Sequence, residues 1–272
     1  MANNANLSRR AALRQQQEME QQQKRRNRIL GIGAAIVVVA VLVVIAVVAI
    51  PPILRGNKTE VTENQLTPPN ATEQHGVLYK GIKPKKGVPH LTIYSDFRCP
   101  ACKANEDAYG DIYRQLADEG KITVEFHTTY FLDDHGGDSS ERAAVAADAA
   151  DAVGKYAEYK KVVFANQKSE YTDKELSEDF AQQAGITGED LKKFQELYRT
   201  RAYQDFATKA HEDFINSPIG STPTYRVKDE RLVFADEAGE QVFIQPTPEA
   251  LLDAITKADK GEKANSHSAI KE

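Results

Sequence analysis

Apolar residues along the chain fall into three regimes. From Ile29 to Ile50 they run unbroken for 22 residues without a charge, mostly Val, Ile, Ala and Leu. That length crosses a hydrocarbon core of about 30 Å as a helix. A cleavable signal peptide has a shorter apolar region, about 7–15 residues, so the run reads as a retained transmembrane anchor. Between residues 51 and 75 the apolar periodicity lapses into Pro51, Pro52, Pro68, Pro69 and several Thr and Asn, which reads as a flexible linker. The triplets Asn57-Lys58-Thr59 and Asn70-Ala71-Thr72 match the glycosylation pattern, but a pattern so short is met by chance.

From about residue 76 to 260 the pattern is that of one domain. Strand-like runs at Val77–Ile82 and Pro89–Tyr94 precede a helical segment that reaches about Glu119, and Ile122–His127 reads as a strand. A Gly/Asp-rich turn at Asp133–Asp138 follows, and the pattern then stays helical, giving a helical insertion at about 139–215. Asp138 with Glu141, Thr172 with Glu175, and Thr187 with Asp190 each pair a cap with an acid three residues on. Gly154 and Gly185 punctuate these helices. Ala143–Ala152 reads as a close-packing helix, and Tyr156, Tyr159 and Phe164 as core. The charged stretches Glu158–Lys161 and Glu175–Asp179 read as solvated faces. The chain returns to sheet at Thr224–Val227, with a hairpin of Arg231–Ala235 and Gln241–Ile244. Thr247-Pro248 starts a last helix, Glu249 to about Lys257, and residues 261–272 read as a disordered tail. Strands before and after a helical block imply a single α/β sheet with an inserted all-helical subdomain.

Charge fixes the expected orientation. Residues 1–28 carry seven basic residues against Glu18 and Glu20, a net of +5. A basic tail next to an apolar span places the N-terminus in the cytoplasm and everything beyond residue 50 outside it. The expected location is therefore the cell membrane, single-pass, with residues 29–50 in contact with lipid. Beyond residue 28 there are 28 basic and 38 acidic residues, a net of −10. That balance argues against a nucleic-acid partner.

The chemistry is concentrated at Cys99-Pro100-Ala101-Cys102, which holds the only two cysteines of the 272 residues. Pro100 suits the first position of a helix, where its missing N–H has no partner anyway. A cysteine at a helix start meets unpaired N–H groups and the positive end of the dipole, which favour a thiolate. Cys99 is then the nucleophile, and Cys102, three residues on along the same face, its disulfide partner. Arg98 and Lys103 add positive charge beside the pair. A zinc site lacks further ligands at a suitable spacing, and haem attachment requires His where Lys103 stands. Redox chemistry remains, with no cofactor and no metal expected. His127, Asp133, Asp134 and His135 read as a solvated loop, since no nucleophile elbow accompanies them.

Taken with Asp96-Phe97-Arg98 before the first cysteine, Tyr171-Thr172-Asp173 with Leu176 in the insertion, and Gly220-Ser221-Thr222-Pro223-Thr224, the domain resembles the disulfide oxidoreductases of the DsbA type, in their membrane-anchored bacterial form. The resemblance implies a thioredoxin-like central sheet flanked by helices, Cys99 as nucleophile, Cys102 as resolving partner, and Pro223 as a cis-proline beside them. Thr222 would then offer its backbone to an extended substrate peptide in the manner of an added strand. Two positions depart from the pattern: Pro100-Ala101 has no His between the cysteines, and Ile93 stands where many thioredoxin folds bury an acid. The first change predicts a milder oxidant; the second leaves Asp96 or water as the proton acceptor for Cys102.

The activity this implies is introduction of disulfides into exported proteins by dithiol–disulfide exchange. Reoxidation would fall to a membrane partner that passes electrons to quinone, since the chain has no second cysteine pair. Two other readings stay open: a reductase or isomerase of the same fold, and a non-enzymatic, membrane-tethered peptide-binding module.

Overall fold

The structure, a computed structural model, describes residues 61–236, 240–265 and 267. The basic tail at 1–28 and the apolar span at 29–50 lie outside the described residues. Among the described residues no helix is long and apolar enough to cross a membrane.

Five strands build the sheet: β1 (Val77–Leu78), β2 (His90–Ser95), β3 (Thr123–Thr128), β4 (Thr224–Val227) and β5 (Glu230–Arg231), in spatial order β1-β3-β2-β4-β5. β2 and β3 run parallel, from His90 opposite Thr123 to Ser95 opposite Thr128, and the other pairs are antiparallel. Parallel neighbours need a crossover, here α1 (Pro100–Asp118). Every residue of β3 is buried, as expected of a strand covered on both faces. Ile93, Phe126 and Tyr225 sit side by side in register. On the opposite face Tyr94 stacks on His127 at 4.6 Å between ring centres.

Between β3 and β4 the chain forms α2 (Ser139–Asp151), α3 (Tyr156–Ala165), a wide turn at Glu175–Asp179 leading into α4 (Phe180–Gln183), α5 (Gly188–Arg199) and α6 (Gln204–Asn216). The alanines of α2 are buried almost throughout, and this helix packs against α3, α5 and α6. Small side chains make so crowded a position possible. Tyr156, Tyr159 and Phe164 are core, as their spacing predicts. The chain ends in α7 (Pro248–Asp259), capped by Thr247, whose hydroxyl accepts from Ala250 N. Together these elements give the thioredoxin-like α/β arrangement.

The structure corrects several details. The strand expected at Val77–Ile82 stops at Leu78, because Lys80 and Gly81 take positive φ and turn the chain. The hairpin expected at 231–244 is reduced to one bridge, Ala235 with Val242. Its apolar residues close the core instead: Phe234 packs on Tyr109 at 4.3 Å, and Tyr109 donates to the Ile244 carbonyl. The supposed linker is docked from Thr62 onward. Thr62 N bonds Thr200 O, Leu66 N bonds Ala202 O, and Asn70 donates twice to Asp151. At the other end Ala264 N and Asn265 Nδ2 are tied to Glu230 and Val233. Asp138 does not cap α2; Asp133 does, accepting from Ser140 N and Glu141 N at 3.2 and 2.8 Å. His127 is therefore a buried strand residue, and Asp133, half-buried with its carboxylate turned onto Arg98 and α2, is a structural group, whereas Asp134 and His135 are exposed.

Lys160 is the largest departure, since a residue read as part of a solvated face is 1% exposed. Its ammonium bonds the equally buried Glu106 of α1, which also holds Arg114 and the Tyr113 hydroxyl. Burial alone would raise the Glu106 carboxyl, but the two cations hold it down to about 2. A buried pair is costly to break from one side only. Lys160→Met is expected to lower the unfolding free energy by about 3 kcal/mol, with Glu106→Leu added to it recovering at least half. Urea unfolding at pH 7 measures both; a loss below about 1 kcal/mol in the single variant contradicts the pairing.

Candidate active site

β2 ends at Ser95, and the turn Asp96–Cys99 carries the chain into α1 at the sheet edge where both parallel strands end. The turn is held by its own acid. Asp96 is fully buried; its Oδ1 accepts from Arg98 N at 2.8 Å and from the Ser140 hydroxyl at 2.7 Å, and its Oδ2 from Leu132 N at 3.1 Å. With both oxygens occupied, this carboxylate locks the turn.

Cys99 is the N-cap of α1, with φ −70° and ψ 116°, and Pro100 occupies the first helical position. In this extended cap conformation its Sγ accepts from Cys102 N at 3.4 Å. Both cysteines are free thiols, so the structure is that of the reduced pair. Pro100 and Ala101 between them are exposed. Across the site the Cys99 thiol lies 3.4 Å from the Thr222 carbonyl, to which it donates, and the Thr222–Pro223 peptide bond is cis. The structure therefore brings Cys99, Pro100, Ala101, Cys102, Thr222 and Pro223 together from two segments more than a hundred residues apart in sequence.

The electrostatics differ from expectation in origin. Cys99 is lowered to about 6, first by the hydrogen bond from the Cys102 thiol and then, against burial, by the Thr222 side chain and the backbone N–H groups of Cys102 and Ala101. The flanking cations are occupied elsewhere: Arg98 pairs with Asp133 at 2.6 Å and Lys103 with Asp107 at 2.8 Å. Cys102 is pushed well above the ordinary thiol value, by burial and then by its neighbour Cys99. The two sulfurs thus divide into a thiolate and a thiol.

Ile93, at the position where many thioredoxin folds bury an acid, is 1% exposed in the apolar core that also holds Cys102. Glu106, four residues beyond Cys102 on the same helix and equally buried, brings the Lys160 pair beneath the cysteines. The i, i+4 spacing from Cys102 was a legible signal for Glu106. Nothing in the sequence pointed to Gln167, whose Nε2 donates to both Phe97 O and Cys99 O at 2.9 Å.

A family model described as thioredoxin matches residues 85–248, more than half of the chain. Among curated proteins none matches. Among solved structures the chain is similar to MdbA, a thiol-disulfide oxidoreductase from Actinomyces oris, with a TM-score of 0.57 and 18% identity, covering 74% of this chain and 97% of that one. It is also similar to BdbD from Bacillus subtilis in its oxidised form, at 0.51 and 18%, covering 73% and 100%. A third likeness is to MdbA from Corynebacterium matruchotii, at 0.50 and 22%, covering 62% and 89%.

The split between the sulfurs has a direct chemical readout, because the thiolate is the alkylated species. The reduced protein should show thiolate absorbance at 240 nm with a midpoint near 6. At pH 7 iodoacetamide should modify Cys99 in the wild type at least about tenfold faster than it modifies Cys102 in the Cys99→Ser variant, because Cys99 is mostly thiolate there and Cys102 a buried thiol. Equal rates for the two cysteines contradict the assignment.

Proposed function

The chain belongs to the thioredoxin family, and from that membership and its paired cysteines we propose that it is a protein thiol–disulfide oxidoreductase that introduces disulfides into exported proteins outside the cytoplasm. The observation that carries the reading is the unequal sulfur pair at the tip of α1: Cys99 lowered to about 6 as N-cap, Cys102 buried and raised behind it.

The chemistry is two-electron exchange. In the oxidised enzyme Cys99 and Cys102 are bonded, and a substrate thiolate attacks the more accessible Cys99 sulfur. The Cys99–Cys102 bond breaks, Cys102 leaves and takes up a proton, and a mixed disulfide joins Cys99 to the substrate. A second substrate thiolate attacks its own cysteine sulfur in that bond. Cys99 leaves as the stabilised thiolate, so the substrate is oxidised and the enzyme reduced. Thr222, whose carbonyl already reaches the Cys99 sulfur, is the backbone against which an extended substrate segment aligns. Pro100 and Ala101, both exposed, form the floor it crosses.

Compartment and reoxidation rest on sequence. The basic tail and the apolar run at 29–50 favour a membrane anchor with the domain outside. There a quinone-linked membrane partner would return the pair to the disulfide. The same fold run as a reductase is favoured by one observation, the neutralisation of Arg98 and Lys103 by Asp133 and Asp107, which removes charge that would stabilise the reduced form.

Reduction potential and client trapping decide between these. The couple is expected near about −180 mV, on the oxidising side of a thioredoxin at about −270 mV. A value at the thioredoxin end assigns the reductase. Cys102→Ser should accumulate mixed disulfides with exported proteins in cells, and Cys99→Ser should accumulate none. If neither variant captures a client and the wild type exchanges no thiols, the protein is a binding module.

A further inference from the structure

Gln167 satisfies, with one nitrogen, the backbone acceptors on both sides of Arg98. Its Nε2 donates to Phe97 O and to Cys99 O, each at 2.9 Å. A carboxamide nitrogen has two hydrogens, so both are committed to the turn that carries the reactive sulfur. The Tyr171 hydroxyl adds a further bond to Phe97 O at 2.9 Å. Gln167 itself is fixed, since its N–H bonds Phe164 O at the end of α3. Neither side chain touches a sulfur. Both belong to the connection between α3 and α4, and with Ser140 on Asp96 they make the helical insertion the support of the turn.

The conformation they support is the one on which thiolate chemistry depends. Cys99 Sγ accepts the Cys102 N–H only while Cys99 keeps its extended cap geometry. In that geometry the Cys99 carbonyl points away from the helix start and already accepts Lys103 N at 3.2 Å. A second donor on that oxygen pins the peptide plane between Cys99 and Pro100. It also places the positive end of an amide dipole beside the residue that becomes an anion. Removing the donor leaves that plane held by the longer Lys103 N–H bond and withdraws the dipole, and both changes disfavour the thiolate.

We propose that Gln167 is a positioning residue of the redox site, holding Cys99 in the cap conformation in which its sulfur accepts the Cys102 N–H, so that the helical insertion sets the redox equilibrium of the pair. This rests on the redox reading above. It takes effect in the reaction in which two glutathione thiols reduce the Cys99–Cys102 disulfide, giving the dithiol enzyme and one glutathione disulfide. Weakening the thiolate makes that reduction less favourable.

The test measures the glutathione equilibrium and the 240 nm thiolate titration for wild type and Gln167→Met, whose side chain has similar length and no donor. The methionine variant should raise the Cys99 midpoint and lower the equilibrium constant by at least about twofold. A merely structural role would move the melting temperature and leave the ratio of thiolate to thiol in the folded protein unchanged. Should the methionine variant fail to fold, the wild type decides: the Gln167 side-chain amide resonances should shift with the Cys99 titration and on oxidation. Methionine values within about twofold of wild type, or amide resonances indifferent to the redox state, overturn the proposal while leaving the redox reading intact. A wild type that forms no Cys99–Cys102 disulfide at any glutathione ratio overturns both.

Discussion

Everything at the tip of α1 depends on one hydrogen-bonding fact: the Cys99 sulfur caps the helix. An N-cap side chain normally contributes an oxygen that accepts an orphan N–H. Here a sulfur 3.4 Å from Cys102 N fills that role. Because the acceptor is ionisable, the capping energy becomes a preference for the thiolate. The same geometry brings the Cys102 thiol to the same sulfur as a second donor. Helix stability and nucleophile activation are therefore one interaction. Pro100 supports it from the other side, since the residue before a proline is held away from helical angles and Cys99 must stay extended to cap.

The sheet and the insertion divide the work of holding that cap. β2 delivers the turn and β4 delivers Thr222, and both belong to the sheet because Tyr94 pairs with Thr224, and Ile93 with Tyr225, in register beside these ends. The insertion supplies side chains: Ser140 to Asp96, Gln167 and Tyr171 to the carbonyls, and Lys160 to Glu106 below. A turn at a strand end exposes several backbone acceptors at once, and each buried one needs a donor. Helices packed over the turn bring those donors at fixed positions, which a mobile loop could not do.

The parts of this arrangement that were legible in sequence are the local ones. Cys99-Pro100-Ala101-Cys102, the alternation in β2 and the cap at Thr247 are each written within a few residues, and the structure has them where their patterns place them. A single sheet with a helical insertion followed from strands flanking a helical block, and its thioredoxin-like form from the resemblance. What stayed hidden is long-range polar pairing. Lys160 lies in a charged stretch that looks solvated, and only the fold reveals that α3 turns it onto Glu106 of α1, 54 residues earlier. Asp133 looks like loop chemistry until α2 is seen to need a cap. The docked arm from Thr62 to Asn70 has a linker's composition, yet its backbone N–H groups and side-chain amides find carbonyls and a carboxylate on the helical block. Composition describes what a segment lacks, and backbone hydrogen bonding does not depend on composition.

The exchange of Ile93 for an acid fits the same physics. An acid on β2 at that point would sit among Phe126, Tyr225 and the other apolar groups of that face, and burial would push it toward the neutral form. Glu106 enters from α1 instead, where Arg114 on the same helix and Lys160 on α3 can both reach it. Arg114 is shared with Asp111 at 3.0 Å as well, so Glu106 does not face two unshared cations. Arg98 and Lys103 are likewise paired, with Asp133 and Asp107. The Cys99 thiolate is therefore favoured by the hydrogen bonds that meet at the helix tip and not by a neighbouring cation.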